Sequence, residues 1–206
     1  MTFEVWIAFA IASAAMLAIP GPTVMLVVSY TLGHGRRSGW ATVPGVTLGD
    51  FTAMTISLAG AGAILATSAT LFTALKLAGA AYLIWLGIGL WRAKPKAPNA
   101  APAGKADMRG MFLNSYVVTA LNPKGIVFFI AFVPQFIEPG EPLLLQMAVL
   151  EATFLTLAAL NTLLWVLLVG EMRSRFSNPA NLAWANRIGG SFMIGAGVLT
   201  AFARRA

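Results

Sequence analysis

At 206 residues, 58% of them hydrophobic and 10% charged, the chain is too apolar for a water-soluble domain of its size and reads as an integral membrane protein. Its net charge of +7 would point to nucleic acid in a soluble protein, but Lys and Arg gather in a few short connections between apolar runs, where membrane orientation accounts for them. Zero cysteines exclude disulfides, thiolate metal sites and thiol redox chemistry.

Apolar runs fall at 3–32, 40–66, 70–91, 111–137, 143–169 and 182–203. Each is near or above the ~20 residues a helix needs to cross hydrocarbon, which predicts an all-α fold of six transmembrane helices in a single domain. The start Met1-Thr2-Phe3-Glu4 has no basic n-region and its apolar stretch continues past Pro22, so the first run reads as a retained span rather than a signal peptide. That run is broken at Pro20-Gly21-Pro22. A re-entrant segment followed by a short helix, giving five spans, fits the same break. The fourth run is broken in the same way at Asn122-Pro123-Lys124. Proline removes a backbone donor, and a lysine at the bilayer centre costs ~3 kcal/mol on insertion scales. Such features belong beside a cavity rather than against lipid, and two broken helices at corresponding places in two halves point to a transporter's binding site.

The connections alternate in charge. Arg36 and Arg37 follow span 1, Arg92, Lys94, Lys96, Lys105 and Arg109 follow span 3, and Arg173, Arg175 and Arg187 flank the turn between spans 5 and 6. These sides are expected in the cytoplasm, which places both termini outside; only Arg204 and Arg205 dissent. Trp6, Trp40, Trp91 and Trp184, near span ends, fit an aromatic belt. The Pro- and Ala-rich segment 94–107 reads as a cytoplasmic linker between repeat one (1–93) and repeat two (108–206). Three spans per half make any repeat inverted. Asp50 lies 30 residues beyond Pro20 and Glu151 lies 28 beyond Pro123, the acidic residues well inside spans 2 and 5, and this spacing supports the repeat.

Asp50 lies about ten residues into span 2, roughly 15 Å deep and near the midplane. There it would bind a substrate ammonium, take up a proton, or hydrogen-bond neighbouring helices through Ser57 or Thr52. Gly45-xxx-Gly49 reads as helix packing, and thin cavity walls need the same small residues. New half-helices are expected at about Thr23 and Lys124, each starting with unpaired N–H groups that suit a carboxylate. Lys124 would strengthen that anion site, snorkel, or pair with Glu151 or Asp50; Asn122 reads as the cap of its half-helix. The expected substrate-binding or coupling set is therefore Pro20, Gly21, Pro22, Gly45, Gly49, Asp50, Asn122, Pro123 and Lys124. Lys76 and Glu151 stand as gate or ion-pair residues. His34, the single histidine, sits in a turn, so no metal site is expected.

With these residues in hand, the chain resembles the LysE/RhtB family of bacterial amino-acid exporters along almost its whole length. The likeness rests on Pro20-Gly21-Pro22, Gly45-xxx-Gly49-Asp50, Leu75-Lys76-xx-Gly79-Ala80-Ala81-Tyr82-Leu83-xx-Leu86-Gly87, Asn122-Pro123-Lys124-Gly125 with Phe128-Phe129 and Pro134-Gln135-Phe136, and Arg187-x-Gly189-Gly190. It implies efflux of amino acids or close derivatives across the bacterial cytoplasmic (inner) membrane, in exchange for protons and without a cofactor. It leaves open which amino acid is carried, and whether the chain forms a homo-oligomer.

Two other classes compete. Leu48-Gly49-Asp50 shares the Gly-Asp end of an intramembrane aspartyl protease motif, but a dyad needs a second carboxylate, and Glu151 would have to serve. A divalent-cation exporter would have only hard oxygen ligands, and Asp50 with Glu151 makes a poor cage.

The charge count makes a direct prediction about topology. In intact cells a membrane-impermeant thiol reagent should label a cysteine placed at Ser68 and miss one at Asn99; the reverse pattern would invert the orientation.

Overall fold

The computed structural model describes residues 1–67, 69–92, 107–138, 140–171 and 179–202, and every regular element among them is helical. The helices are α1 (Phe3–Ala18), α2 (Pro22–His34), α3 (Gly39–Thr67), α4 (Ala69–Arg92), α5 (Met108–Ala120), α6 (Pro123–Ala131), α7 (Leu143–Glu171) and α8 (Pro179–Phe202). Short 3-10 turns at Arg36–Ser38 and Val133–Phe136 follow α2 and α6. The linker apart from Asp107, together with Arg173, Arg175, Arg204 and Arg205, lies outside the described residues. Asp107 caps α5, its Oδ1 accepting from the Gly110 N–H at 3.0 Å.

The breaks fall where the prolines put them. Pro22 and Pro123 each occupy the first turn of a new helix, where a missing N–H costs nothing. The chain bends by 55° between α1 and α2 and by 43° between α5 and the segment that starts at Pro123. Among the described residues, Leu143–Val169 is long and apolar enough to cross a membrane alone, and each bent pair reaches that standard as a unit. The helices α3, α4 and α8 stand at the positions expected for the remaining spans.

The outer surface is apolar: Ile56, Leu144 and Leu164 are more than half exposed, and Trp40 and Trp184 project outward near helix ends. The polar side chains Ser13, Ser38, Thr42 and Ser115 are fully buried. This inversion of the soluble pattern suits a hydrocarbon solvent.

The glycines set how closely helices approach. A methyl group at Gly45 would stand 2.6 Å from the Phe112 carbonyl oxygen, and one at Gly49 would stand 2.7 Å from that of Tyr116, so α3 lies directly on the α5 backbone. The helices α4 and α8 meet in the same manner through Gly87, Gly190 and Gly197. Across the centre α3 also packs on α6 and α7, while α1 and α2 pack on α7.

Two contacts bring connections together at opposite ends. Glu138 accepts from the Thr2 N–H at 2.6 Å and lies 3.1 Å from the Met1 ammonium, whose hydrogen bond holds the Glu138 carboxyl below its ordinary range. At the other end Arg36 donates to the Leu167 carbonyl at 3.3 Å. The chain start thus shares one side with the 138–142 connection, and the turn after α2 shares the other with the end of α7.

Gly49→Ala should destabilise the protein by about 2 kcal/mol, because the added methyl must push back backbone on α5. Gly60, with open space around it, provides the control: Gly60→Ala should hold or raise the thermal midpoint of the detergent-solubilised protein.

Candidate functional site

Ending α1 at Ala18 releases carbonyls that a continuous helix would satisfy. Pro20 has no N–H for the Met16 carbonyl, and the neighbouring Leu17 and Ile19 oxygens likewise need donors from elsewhere. Met16 O takes a 3.3 Å bond from the Ile19 N–H, and the other donors come from other helices. Lys124, in the first turn of α6, donates from Nζ to Met16 O and to Ile19 O, both at 3.0 Å. Asn161 of α7 donates from Nδ2 to Leu17 O at 3.2 Å. An ammonium at a helix C-terminus also meets the negative end of the peptide dipoles. Gly21 lies beside this clasp: a methyl there would stand in ordinary van der Waals contact with Lys124 Nζ and its last two methylenes, at 3.5–3.8 Å.

The second break is tied to the first in return. The Asn122 Oδ1 caps α6 by accepting from the Lys124 N–H at 3.1 Å, while its Nδ2 donates to Thr23 Oγ1 at 3.2 Å. The Thr23 and Thr119 hydroxyls lie 3.2 Å apart. Both breaks therefore face one another, and a cavity of about 40 Å³ lies between them, lined by Gly21, Thr23, Asn122 and Lys124 from the breaks, Asp50 and Val46 from α3, and Phe154, Asn161, Thr162 and Trp165 from α7. Asp50 is buried, and among the described residues no hydrogen bond or ion pair engages its carboxylate. The N-terminus of α2 has no side-chain cap either. One carboxylate and one helix start without a side-chain cap thus border a single small space.

Two packed plugs close this space. Toward the Met1 and Glu138 side runs an aromatic column. Phe154 lies 4.9 Å from Phe129 and 6.0 Å from Phe128, Phe128 stacks on Phe132 at 5.0 Å, Phe132 meets Phe136 at 5.1 Å, and Phe136 meets Phe9 at 5.4 Å, ring centre to ring centre. Toward the Arg36 side the plug is aliphatic, with Val27, Val46 and Val166 in one cluster, Val24, Val28 and Val169 in another, and Trp165 touching both.

The expected residues divide. Gly21, Asp50, Asn122 and Lys124 line the cavity; Pro20, Pro22 and Pro123 shape the breaks without lining it. Gly45 and Gly49 form the α3–α5 contact. Among the described residues Glu151 pairs with no lysine: its Oε1 accepts from Thr55 Oγ1 at 2.6 Å between α3 and α7, away from the cavity. Lys76 belongs to α4, and its side chain lies outside the described residues. His34 sits at the end of α2, as its turn position predicts. Sequence reasoning placed Thr23 as the start of a half-helix that suits a carboxylate, without a role for its side chain, and did not assign Phe154, Thr162 or Trp165 to the site. A signal existed for one stretch: Asn161-Thr162 is the one adjacent polar pair in the apolar run of α7.

Apolar helices that enclose a polar cavity between two broken segments have the build of a membrane carrier. The chain belongs to the LysE type translocator family, whose model matches residues 14–204. It is 33% identical to the homoserine/homoserine lactone efflux protein of Salmonella typhi, over the full length of both chains. It is 29% identical to an uncharacterized membrane protein of Vibrio cholerae, over 99% of this chain and all of that one. It is also 35% identical to the leucine efflux protein of an Enterobacter species, over 60% of this chain and 59% of that one. No solved structure matches the chain.

The clasp is testable on the folded protein alone. Lys124→Met keeps the stem and removes the donors, leaving the Ile19 carbonyl without that partner and the Met16 carbonyl with only the 3.3 Å bond from the Ile19 N–H; it should lower unfolding stability by about 2 kcal/mol, and Lys124→Arg by less. Equal stability of Lys124→Met and wild type in denaturant titrations would show that the two hydrogen bonds contribute nothing.

Proposed function

We propose that this protein is a secondary active exporter of amino acids or close amino-acid derivatives across the bacterial cytoplasmic membrane, coupled to protons and working by alternating access at the cavity between the two breaks. The observation that carries this reading is the meeting, inside an apolar helical body, of a buried carboxylate that accepts no hydrogen bond among the described residues with a helix start that has no side-chain cap. A zwitterion fits both: its ammonium against Asp50, its carboxylate against the first N–H groups of α2. Lys124, already engaged by two carbonyls, supports the site by holding the breaks together rather than by reaching for substrate. The names of the relatives, two of them efflux proteins for amino acids or amino-acid derivatives, support the same substrate class.

Six spans in two inverted repeats are part of this proposal, and counting from the first-turn prolines supports it. Asp50 follows Pro22 by 28 residues, and Glu151 follows Pro123 by 28. Val27 and Val28 follow Pro22 at the same distances as Phe128 and Phe129 follow Pro123, and both pairs are buried in opposite plugs. The packing of α3 on α5 and α6 is mirrored by that of α7 on α1 and α2. Rocking one half against the other would open the aromatic plug and the valine plug in turn. The cavity as it stands holds only a few waters at roughly 10–15 Å³ each, so the conformation is a closed one and transport requires one plug to part.

Proton coupling falls to Asp50, whose negative charge and titration the cycle would use. Glu151, bonded to Thr55, is not set opposite Asp50 as a proton-sharing dyad would require, which favours transport over proteolysis.

Asp50→Asn should insert normally and reduce efflux of labelled amino acid from preloaded cells to the level of cells lacking the protein. Efflux at the wild-type rate with unchanged pH dependence would assign Asp50 to packing and sink the mechanism.

A further inference from the structure

The central cavity is too small for a whole amino acid, but a larger space adjoins it. Between α1 and α7 lies a groove of about 440 Å³, open toward the lipid-facing surface and lined by Ala14, Leu157, Leu160 and Leu164 among others. Leu17 and Asn161 belong to both spaces, so the wall between cavity and groove is a single layer of side chains. One 3.2 Å hydrogen bond, from Asn161 Nδ2 to the Leu17 carbonyl, holds the polar half of that wall, and rotation of the amide would join the two volumes.

The charges say what kind of group belongs beyond the wall. Among the described residues Asp50 is the one acidic residue of the cavity lining and Lys124 the one basic residue, and the latter is bound by two carbonyls. If Asp50 takes the ammonium of the substrate, a cationic side chain finds no second carboxylate in this lining and an anionic one no second cation. The groove itself offers leucine and alanine. We propose that this groove is the side-chain subsite of the transporter, that it selects uncharged aliphatic side chains, and that Asn161 is the partition through which the side chain enters. The inference rests on the export reading above and adds to it the class of substrate. The groove fits this occupant better than a lipid acyl chain alone, because only Leu17 and Asn161 separate it from a polar headgroup site, and a zwitterion with an aliphatic tail uses both.

Purified protein in proteoliposomes, exchanging labelled alanine, leucine, lysine and 2-aminooctanoate, tests it. Wild type should exchange leucine faster than lysine by about tenfold or more. Leu160→Trp fills the groove from an exposed position and should lower the ratio of leucine to alanine exchange by about tenfold. Leu160→Ala enlarges the groove and should raise the ratio of 2-aminooctanoate to leucine exchange by a similar factor. If neither ratio moves, or if lysine is exchanged as fast as leucine, the subsite is overturned while export stands. Rates that follow vesicle acyl-chain length equally for all substrates, with both ratios unmoved, assign the groove to lipid and also overturn it. Exchange of no amino acid by wild type would instead remove the export reading itself.

Discussion

Everything near the centre of this protein depends on how the carbonyls at the end of α1 are satisfied. Stopping a helix inside an apolar body exposes backbone oxygens to a solvent that cannot hydrogen-bond them, and each left bare costs several kcal/mol on the order expected for hydrocarbon. Lys124 and Asn161 supply the donors, from α6 and α7. The costs of a buried lysine and of an interrupted helix therefore cancel against each other, and neither would be tolerable alone. The same exchange fixes where the two halves meet, because the residue that closes the first break is itself part of the second.

With that position fixed, the rest of the site follows from packing. Gly45 and Gly49 let α3 lie on α5, and this brings the neighbouring Asp50 to face the clasp. The cavity is small because Phe154 and the aromatic column fill one end and valines with Trp165 fill the other. The plugs differ in material although they stand at equivalent counts from the two prolines. Large flat rings interlock over a long column, while β-branched valines make a thinner closure.

Much of the fold was legible in the residues. The six apolar runs reappear as helices at nearly the same bounds, and both breaks occur at the prolines that mark them. Asn122 caps its half-helix, as its residue type and position predict. The role of Lys124 was less accessible: snorkelling, pairing with a carboxylate and binding a ligand all suit a lysine at that position, and its bond to carbonyls across the chain has no local signature. Glu151 stood as a gate or ion-pair candidate because acid and base inside spans seek each other; its hydrogen bond from Thr55 on the adjacent helix had no signal in the sequence. The α7 lining was missed for a different reason. A helix that is apolar all round carries no periodic stripe to show which face turns inward.

Composition and order alone determined that the chain is an all-helical membrane protein with two interrupted helices and a buried acid, because hydrocarbon solvent leaves few ways to arrange such residues. Family membership follows from the same string. Which donor meets which carbonyl, which glycines touch backbone, and which face of α7 lines the cavity were decided only by the tertiary structure. Those relations join residues as much as 144 positions apart, and no local spacing encodes them.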